Sequence, residues 1–302
     1  MIIADKIYKS YNDNIVLNNI SFRVKRGETL AIIGLNGSGK TTLLKILAGM
    51  LEVDQGYIRV HDREHNYMID KHKETVGFIS YGKSNIAGSG TIREMYDLCK
   101  KMYHVADDHY NYVIQNAGKQ IGILEFWEKN AGELSLGEKS RAEFIYTLLI
   151  CPDLWIMDEP TIGVDYETRM KMYEIIAHFK NVRAEKLTIV IATHNMQEME
   201  AISERVIVLN KGKIIFCGPL DKMQDRYRTL GVIRFELVQG GFSIQDMPIR
   251  KYSIDGNKVE IIYDKCYVSA GVILKQILET ALLKNISVTD IDLDVMIKNV
   301  FG

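Results

Sequence analysis

The sequence predicts an α/β fold with a largely parallel sheet, followed by a smaller α+β domain. Three observations predict it. Short apolar runs alternate with stretches of helical periodicity between residues 29 and 210. A glycine-rich loop joins one apolar run to a helix at residues 34–41. After Gly218-Pro219 the texture changes to strands around one amphipathic helix.

The elements follow in order. IIADKIYKSY and NIVLNNISFRV read as two strands, with Asn12-Asp13-Asn14 as the turn. TLAIIGL, residues 29–35, is apolar enough to be buried on both faces, and TTLLKILAGM from Thr41 has helical periodicity with Gly49 placed to cap it. Residues from about 83 to 150 form a mostly helical insert. Strands return at LWIM (154–157), LTIVIAT (187–193) and RVIVLN (205–210), with helical segments between them. Beyond them, GVIRFELVQ and NKVEIIYD are strands, with Asp255-Gly256 as a turn before the second. VSAGVILKQILETALLKN, residues 268–285, reads as a helix capped by Ser269, and ISVTDIDL as a further strand. The expected division is residues 1–221 and 222–302.

The chain has 302 residues, enough for one large domain or two unequal ones. Its formal net charge of −1 supplies no global positive field, so no nucleic acid partner is expected. Cys99, Cys151, Cys217 and Cys266 are far apart in sequence, which fits a reducing compartment better than a disulfide framework or a zinc site. MIIADKIYKS lacks the apolar stretch of a signal peptide, and runs such as FIYTLLIC fall short of the ~18 apolar residues that cross a bilayer. The expectation is a cytosolic protein, or one held at a membrane by a partner.

Two motifs carry chemistry. Gly34, Asn36, Gly37, Ser38, Gly39, Lys40, Thr41 and Thr42 belong to a phosphate-binding loop between strand and helix. Glycines let backbone N–H groups close around phosphates, and the helix N-terminus adds partial positive charge. Lys40 would reach the β- and γ-phosphates and the Thr41 hydroxyl would ligate magnesium. The loop alone indicates only nucleotide hydrolysis. The second motif, LWIMDEP, puts Asp158 and Glu159 at the end of an apolar strand, where such sheets bind ligands. Asp158 would hold magnesium and Glu159 would act as the general base on water. The plainer alternative is a carboxylate pair capping a strand.

Neighbouring segments narrow the reading. Leu134-Ser135-Leu136-Gly137-Glu138 precedes a helix leading to the Asp158 strand. In order with the loop, DEP, Thr161-Ile162-Gly163-Val164-Asp165 and Ala192-Thr193-His194, it resembles the ABC ATPase family over about residues 1–218. Leu136 replaces the first glycine of that family's LSGGQ signature, and Glu138 its glutamine. The resemblance implies a P-loop, RecA-like core with an N-terminal antiparallel β part and a helical subdomain at about 83–150, using ATP and Mg2+. It implies an ATP sandwich, in which Ser135 and Gly137 of one copy, with Glu138 beside them, meet the γ-phosphate held by the other. It makes His194 a switch residue on the γ-phosphate and Asp165 an interface residue. Tyr11 would stack on adenine; packing within its strand is the alternative.

The family places a glutamine after the strand written Val76-Gly77-Phe78-Ile79-Ser80, where this chain has Tyr81 or Gly82. That departure puts the usual route of coupling in question; Ser80 and Asn85 are the nearest substitutes. His61, Asp62, His65, Asp70 and His72 read as a polar hairpin, and Met170, Met172, Met196 and Met199 as packing.

The resemblance also implies biology. It points to a homodimer at the cytoplasmic face of a membrane, peripheral to a separate transmembrane permease subunit. Residues 83–95, including Ile86 and Ile92, would line a groove for that subunit. The signature and the short C-terminal domain look most like bacterial exporters. The alternatives are a soluble ABC ATPase on a cytosolic complex, or a weakly hydrolysing regulatory partner in a heterodimer.

Overall fold

Three sheets organise the residues that the computed structural model describes: 2–60, 63–64, 76–80, 86, 90–183, 186–240 and 249–299. The chain divides into two units, Met1–Pro219 and Leu220–Gly302.

In the first unit, β1 (Ile2–Tyr11), β2 (Asn14–Val24), β4 (Gln55–Val60) and β5 (Arg63–Glu64) form an antiparallel sheet in the order β2-β1-β4-β5. The second sheet holds β3 (Thr29–Ile33), β6 (Val76–Ser80), β7 (Leu154–Asp158), β8 (Thr188–Thr193), β9 (Arg205–Asn210) and β10 (Lys213–Pro219) in the order β10-β9-β3-β8-β7-β6. All its pairings are parallel except β9 with β10. β3, β7 and β8 are buried at every position, as expected of parallel strands covered on both faces.

Helix α1 (Lys40–Leu47) packs between the two sheets, with Leu43, Leu44 and Leu47 in one core with Ile7, Leu17 and Ile32. Gly49 ends it at φ 71°, a left-handed position that glycine takes without a Cβ clash. The register Ile33↔Thr193 and Asp158↔Ala192 brings the ends of β3, β7 and β8 to one level.

The insert contains α2 (Ile92–Met102), opened by a capping box between Thr91 and Glu94, and α3 (Asp107–Tyr112), which runs into a π-helical stretch at Val113–Gly118. Then come α4 (Leu136–Ile150), α5 (Tyr166–Arg183) and α6 (Met196–Ile202). Ile86 and Ile92 are buried, and the Ile86 backbone N–H donates to Glu143 Oε1 at 3.0 Å. Both therefore fill the interior of the insert, which corrects the expectation that they line an open groove. Met172 and Met199 are core residues, while Met170 is exposed. No helix among the described residues is long and apolar enough to cross a membrane.

The second unit holds α7 (Leu220–Gln224), β11 (Leu230–Gly240), β12 (Ile249–Asp255), β13 (Lys258–Asp264), α8 (Ala270–Leu278), β14 (Ala281–Asp290) and α9 (Leu293–Asn299). Its antiparallel sheet has the order β12-β13-β11-β14, and α8 covers one face through Ile273 and Ile277 against Ile233, Phe235 and Ile261. Ser269 caps α8, its hydroxyl accepting from Val272 N. The helix expected over 268–285 is corrected: it stops at Leu278, and residues 281–285 open β14. Ala281 is buried and Leu283 packs on the same core, but Leu282 between them is 57% exposed. That two-residue alternation, paired with β11 at Leu237↔Leu283, outweighs the helical propensity of Ala-Leu-Leu. The strand expected to run to Leu293 ends at Asp290, and β10, β12 and α9 are further elements that the sequence pattern does not separate.

Candidate functional site

The loop after β3 is shaped by contacts that only glycine permits. A Cβ on Gly34 would stand 2.2 Å from the Leu209 carbonyl oxygen of β9. Gly39, the N-cap of α1, has φ 105°, and a Cβ there would stand 2.8 Å from the Val16 carbonyl oxygen. The loop is thus clasped between β9 and the start of β2. Lys40 is buried, and its Nζ donates to Gly34 O at 2.8 Å and Leu35 O at 3.2 Å. Burial lowers its pKa, against the pull of Glu159 and Asp158, which favour the cation. Ser38 is buried too, and its hydroxyl has no hydrogen-bond partner among the described residues. It is an orphaned polar atom in a loop suited to an anion.

At the end of β7, Asp158 is buried and hydrogen-bonded to the Thr41 hydroxyl. Burial raises its pKa first; Thr41 and Lys40 oppose the shift, and Glu159 adds to it. Glu159 turns out of the strand at φ 52°, a left-handed conformation that costs a non-glycine residue about 1–3 kcal/mol. Its N–H donates to Ala192 O at 2.9 Å, which fixes the turn against β8. One residue beyond the end of β8, His194 Nδ1 stands 2.7 Å from Glu159 Oε2.

These groups share one cleft of about 620 Å3. It is lined by Asn36, Gly37, Gly39, Lys40, Thr41 and Thr42 of the loop, and by Asp158, Glu159 and His194. Asn14, Val16 and Ile162 complete it: Ile162 belongs to the Thr161–Asp165 motif after β7, whereas no chemistry-bearing motif marks Asn14 and Val16, which β2 brings there. Gly34 and Ser38 shape the loop from behind. Tyr11 is not among the described lining residues: it is 47% exposed at the end of β1, paired with Asn14, which does line the cleft. The Thr41 hydroxyl and Asp158 carboxylate are hard oxygen donors already in contact. They fit Mg2+, which takes few protein ligands and completes its shell with phosphate and water.

A second group lies outside that cleft lining. Ser135 caps α4 in a capping box with Glu138: the Ser135 hydroxyl accepts from Glu138 N, and Ser135 N donates to Glu138 Oε2 at 2.7 Å. Glu138 also pairs with Lys129 at 2.9 Å. Lys129, followed by the Ser135 N–H, holds its pKa down to about 2. A Cβ on Gly137 would meet Gly163 O at 2.5 Å, so the start of α4 packs directly on the turn after β7. Asp165 closes that turn by accepting from Thr168 N at 3.0 Å.

Ser80 ends β6 in register with Asp158. Tyr81, Gly82 and Asn85, residues 83–85 and 87–89, and the cluster His61, Asp62, His65, Asp70 and His72 lie outside the described residues.

Comparisons with known proteins agree with this geometry. A family model described as ABC transporter matches residues 17–162. The zinc uptake system ATP-binding protein ZurA of Listeria innocua is 33% identical over 74% of this chain and 88% of its own. The Fe(3+) ions import ATP-binding protein FbpC of Fusobacterium nucleatum is 29% identical over 75% of this chain and 60% of its own. Among solved structures, the dimeric post-hydrolysis state of the ATP-binding cassette MJ0796 bound to ADP and Pi superposes with a TM-score of 0.65. That match covers 73% of this chain and 99% of MJ0796 at 22% identity, and it speaks for the fold. The loop, the carboxylate pair and the histidine therefore sit on the scaffold of an ATPase that uses ATP with Mg2+, and the chain belongs to the ATP-binding subunits of ABC transporters.

Proposed function

We propose that this chain is one half of an ATP-closed dimer that drives transport through a separate membrane-spanning subunit. One observation carries the reading. Lys40, Thr41, Asp158, Glu159 and His194 line one cleft, whereas Ser135, Gly137 and Asp165 are not among its described lining residues. A second copy would bring its Ser135 and Gly137, beside Glu138, to the γ-phosphate held by the first. Residues 1–221 form the nucleotide-binding domain in this reading, with its helical subdomain at about 83–150, and residues 222–302 the accessory domain.

Within the cleft, backbone N–H groups from Gly34 to Thr42 cradle the phosphates and the α1 N-terminus adds partial positive charge. Lys40 neutralises β- and γ-phosphate oxygens. Thr41 and Asp158 would hold Mg2+, which neutralises charge developing on the phosphates. Glu159 accepts the proton of the attacking water, and His194 orients Glu159 and contacts the γ-phosphate. Tyr11 supplies an aromatic face for the adenine beside Asn14. Attachment to the membrane is peripheral, through the permease partner.

The resemblance stated above points to export. The zinc uptake and Fe(3+) import names of the relatives give that direction no support. Reconstitution with the co-purified membrane subunit, measuring solute inside and outside ATP-loaded vesicles, decides the direction.

The dimer is tested with Glu159→Gln, which keeps the shape of the site and removes the base. With ATP and Mg2+ the variant should elute as a dimer on size exclusion, and with ADP as a monomer. A monomer under both conditions would refute the sandwich. Affinity purification from detergent-solubilised native membranes should recover a polytopic subunit; recovery with cytosolic proteins alone would support the soluble alternative.

A further inference from the structure

Glu198 is an ionisable residue that the roles above leave unused, yet it is 2% exposed. It lies in α6, four residues after His194, and the Asn195 side chain caps that helix by accepting from Gln197 N and Glu198 N. A carboxylate buried this deeply is retained only when its oxygens are satisfied.

Its partners come from two different strand ends. Thr161 Oγ1, two residues beyond Glu159, donates to Glu198 Oε1 at 3.1 Å. The Thr193 hydroxyl, one residue before His194, accepts from Asn195 N at 2.9 Å, and the Asn195 side chain in turn accepts from Glu198 N at 3.3 Å, so Glu198 is joined to the end of β8 through Asn195. The Arg169 guanidinium lies near enough to favour the charged form of the same carboxylate, while the Tyr173 hydroxyl, buried beside it on α5, has no hydrogen-bond partner among the described residues. Arg169 Nη2 in turn donates to Val164 O at 3.1 Å, within the turn that runs to Asp165.

Glu159 and His194 meet at 2.7 Å although the imidazole is 62% exposed and little packs around it. Their spacing is therefore set by the backbones that carry them, and the Thr161–Glu198 hydrogen bond, buried at both ends, favours one arrangement. We propose that Glu198 is a positioning residue, which ties the Thr161 turn to Thr193 and so holds Glu159 and His194 at their working distance. The proposal rests on the roles given to those two residues above.

The test is steady-state ATPase kinetics on the full-length chain. Glu198→Gln keeps the shape and changes one oxygen of the carboxylate; Thr161→Val removes one hydroxyl and keeps the volume. Each should lower kcat per folded molecule about tenfold to a hundredfold, the scale expected for a misplaced catalytic pair, with ATP affinity unchanged. The double variant should be no slower than the worse single variant within about twofold, since both break one link. Wild-type kcat in Glu198→Gln overturns the proposal, as do losses that multiply in the double variant. Loss of kcat that only tracks a loss of folded protein overturns it too; if Glu198→Gln does not fold, the kcat of Thr161→Val alone decides. Glu159→Gln serves as the separate control: its retaining wild-type turnover would bring down the reading of the cleft itself, whatever Glu198 does.

Discussion

The parallel sheet of the first unit and the antiparallel sheet of the second use their strands in opposite ways. β3, β7 and β8 are buried at every position, while β12 is exposed at six of its seven residues and β14 at eight of its ten. A strand with no exposed side chain has only its ends free for chemistry, and there the loop, Asp158, Glu159 and His194 gather. In the second unit polar groups sit along the strands instead, even on the inner strand β11, where half-buried Arg234 pairs with Glu260 at 2.8 Å and Asp292 at 2.5 Å. Burial along the strand concentrates function at its tip.

The largest expected effect follows from that contrast. Glu159→Gln should lower ATP turnover by about three orders of magnitude, the upper part of the range for removing a general base. Arg234→Met in the second unit should leave turnover per folded molecule unchanged. Equal losses in a phosphate-release assay would break the division of labour.

Core substitutions sharpen the comparison energetically. Ile191→Ala in β8, where the side chain is fully buried, should cost about 2–5 kcal/mol in urea unfolding. Ile254→Ala in β12, where it is 53% exposed, should stay within about 0.5 kcal/mol of the wild type. Glycines separate the units in the same way. Gly34→Ala forces a Cβ onto the Leu209 carbonyl and should lose ATP binding along with stability. Gly256→Ala meets nothing within 4 Å at φ 60° and should cost only the left-handed penalty of about 1–2 kcal/mol, read by thermal unfolding.

The smallest effect is electrostatic. The folded pKa of Glu138 is about 2, below its ordinary 4.5, so its pairing stabilises fully above about pH 5 and is lost as pH falls towards 2. Glu138→Gln should flatten that part of the acid unfolding curve and leave stability above pH 5 only slightly reduced. An unchanged acid limb would mean that the Lys129 pair contributes nothing in solution.

Much of the cleft was legible because its parts are short and contiguous. Residues 34–42 are one unbroken loop and helix start, and Asp158-Glu159 is marked by the apolar run before it. The buried strands were legible for the same reason: unbroken Ile, Val and Leu. The second unit was harder, since Ala281, Leu282 and Leu283 satisfy a helical and a strand pattern alike, and pairing with β11 decides between them. Asn14 and Val16 carry no chemical mark in the sequence; they enter the cleft because β2 passes beside the loop. Ile86 and Ile92 looked available to a partner because apolar residues in a polar insert are ambiguous until their burial is known.

By itself the sequence determined the nucleotide chemistry, because phosphate binding and water activation each need particular residue types at short fixed spacings. The tertiary structure decided which of those groups meet. Only the shared level of β3, β7 and β8 puts His194 against Glu159 across 35 residues of chain, and the approach of the β9 carbonyl, with the Ser38 hydroxyl, explains why position 34 must lack a Cβ. Tertiary structure also gave Glu198 its partners, because a hydrogen bond depends on distances in space that residue order leaves open.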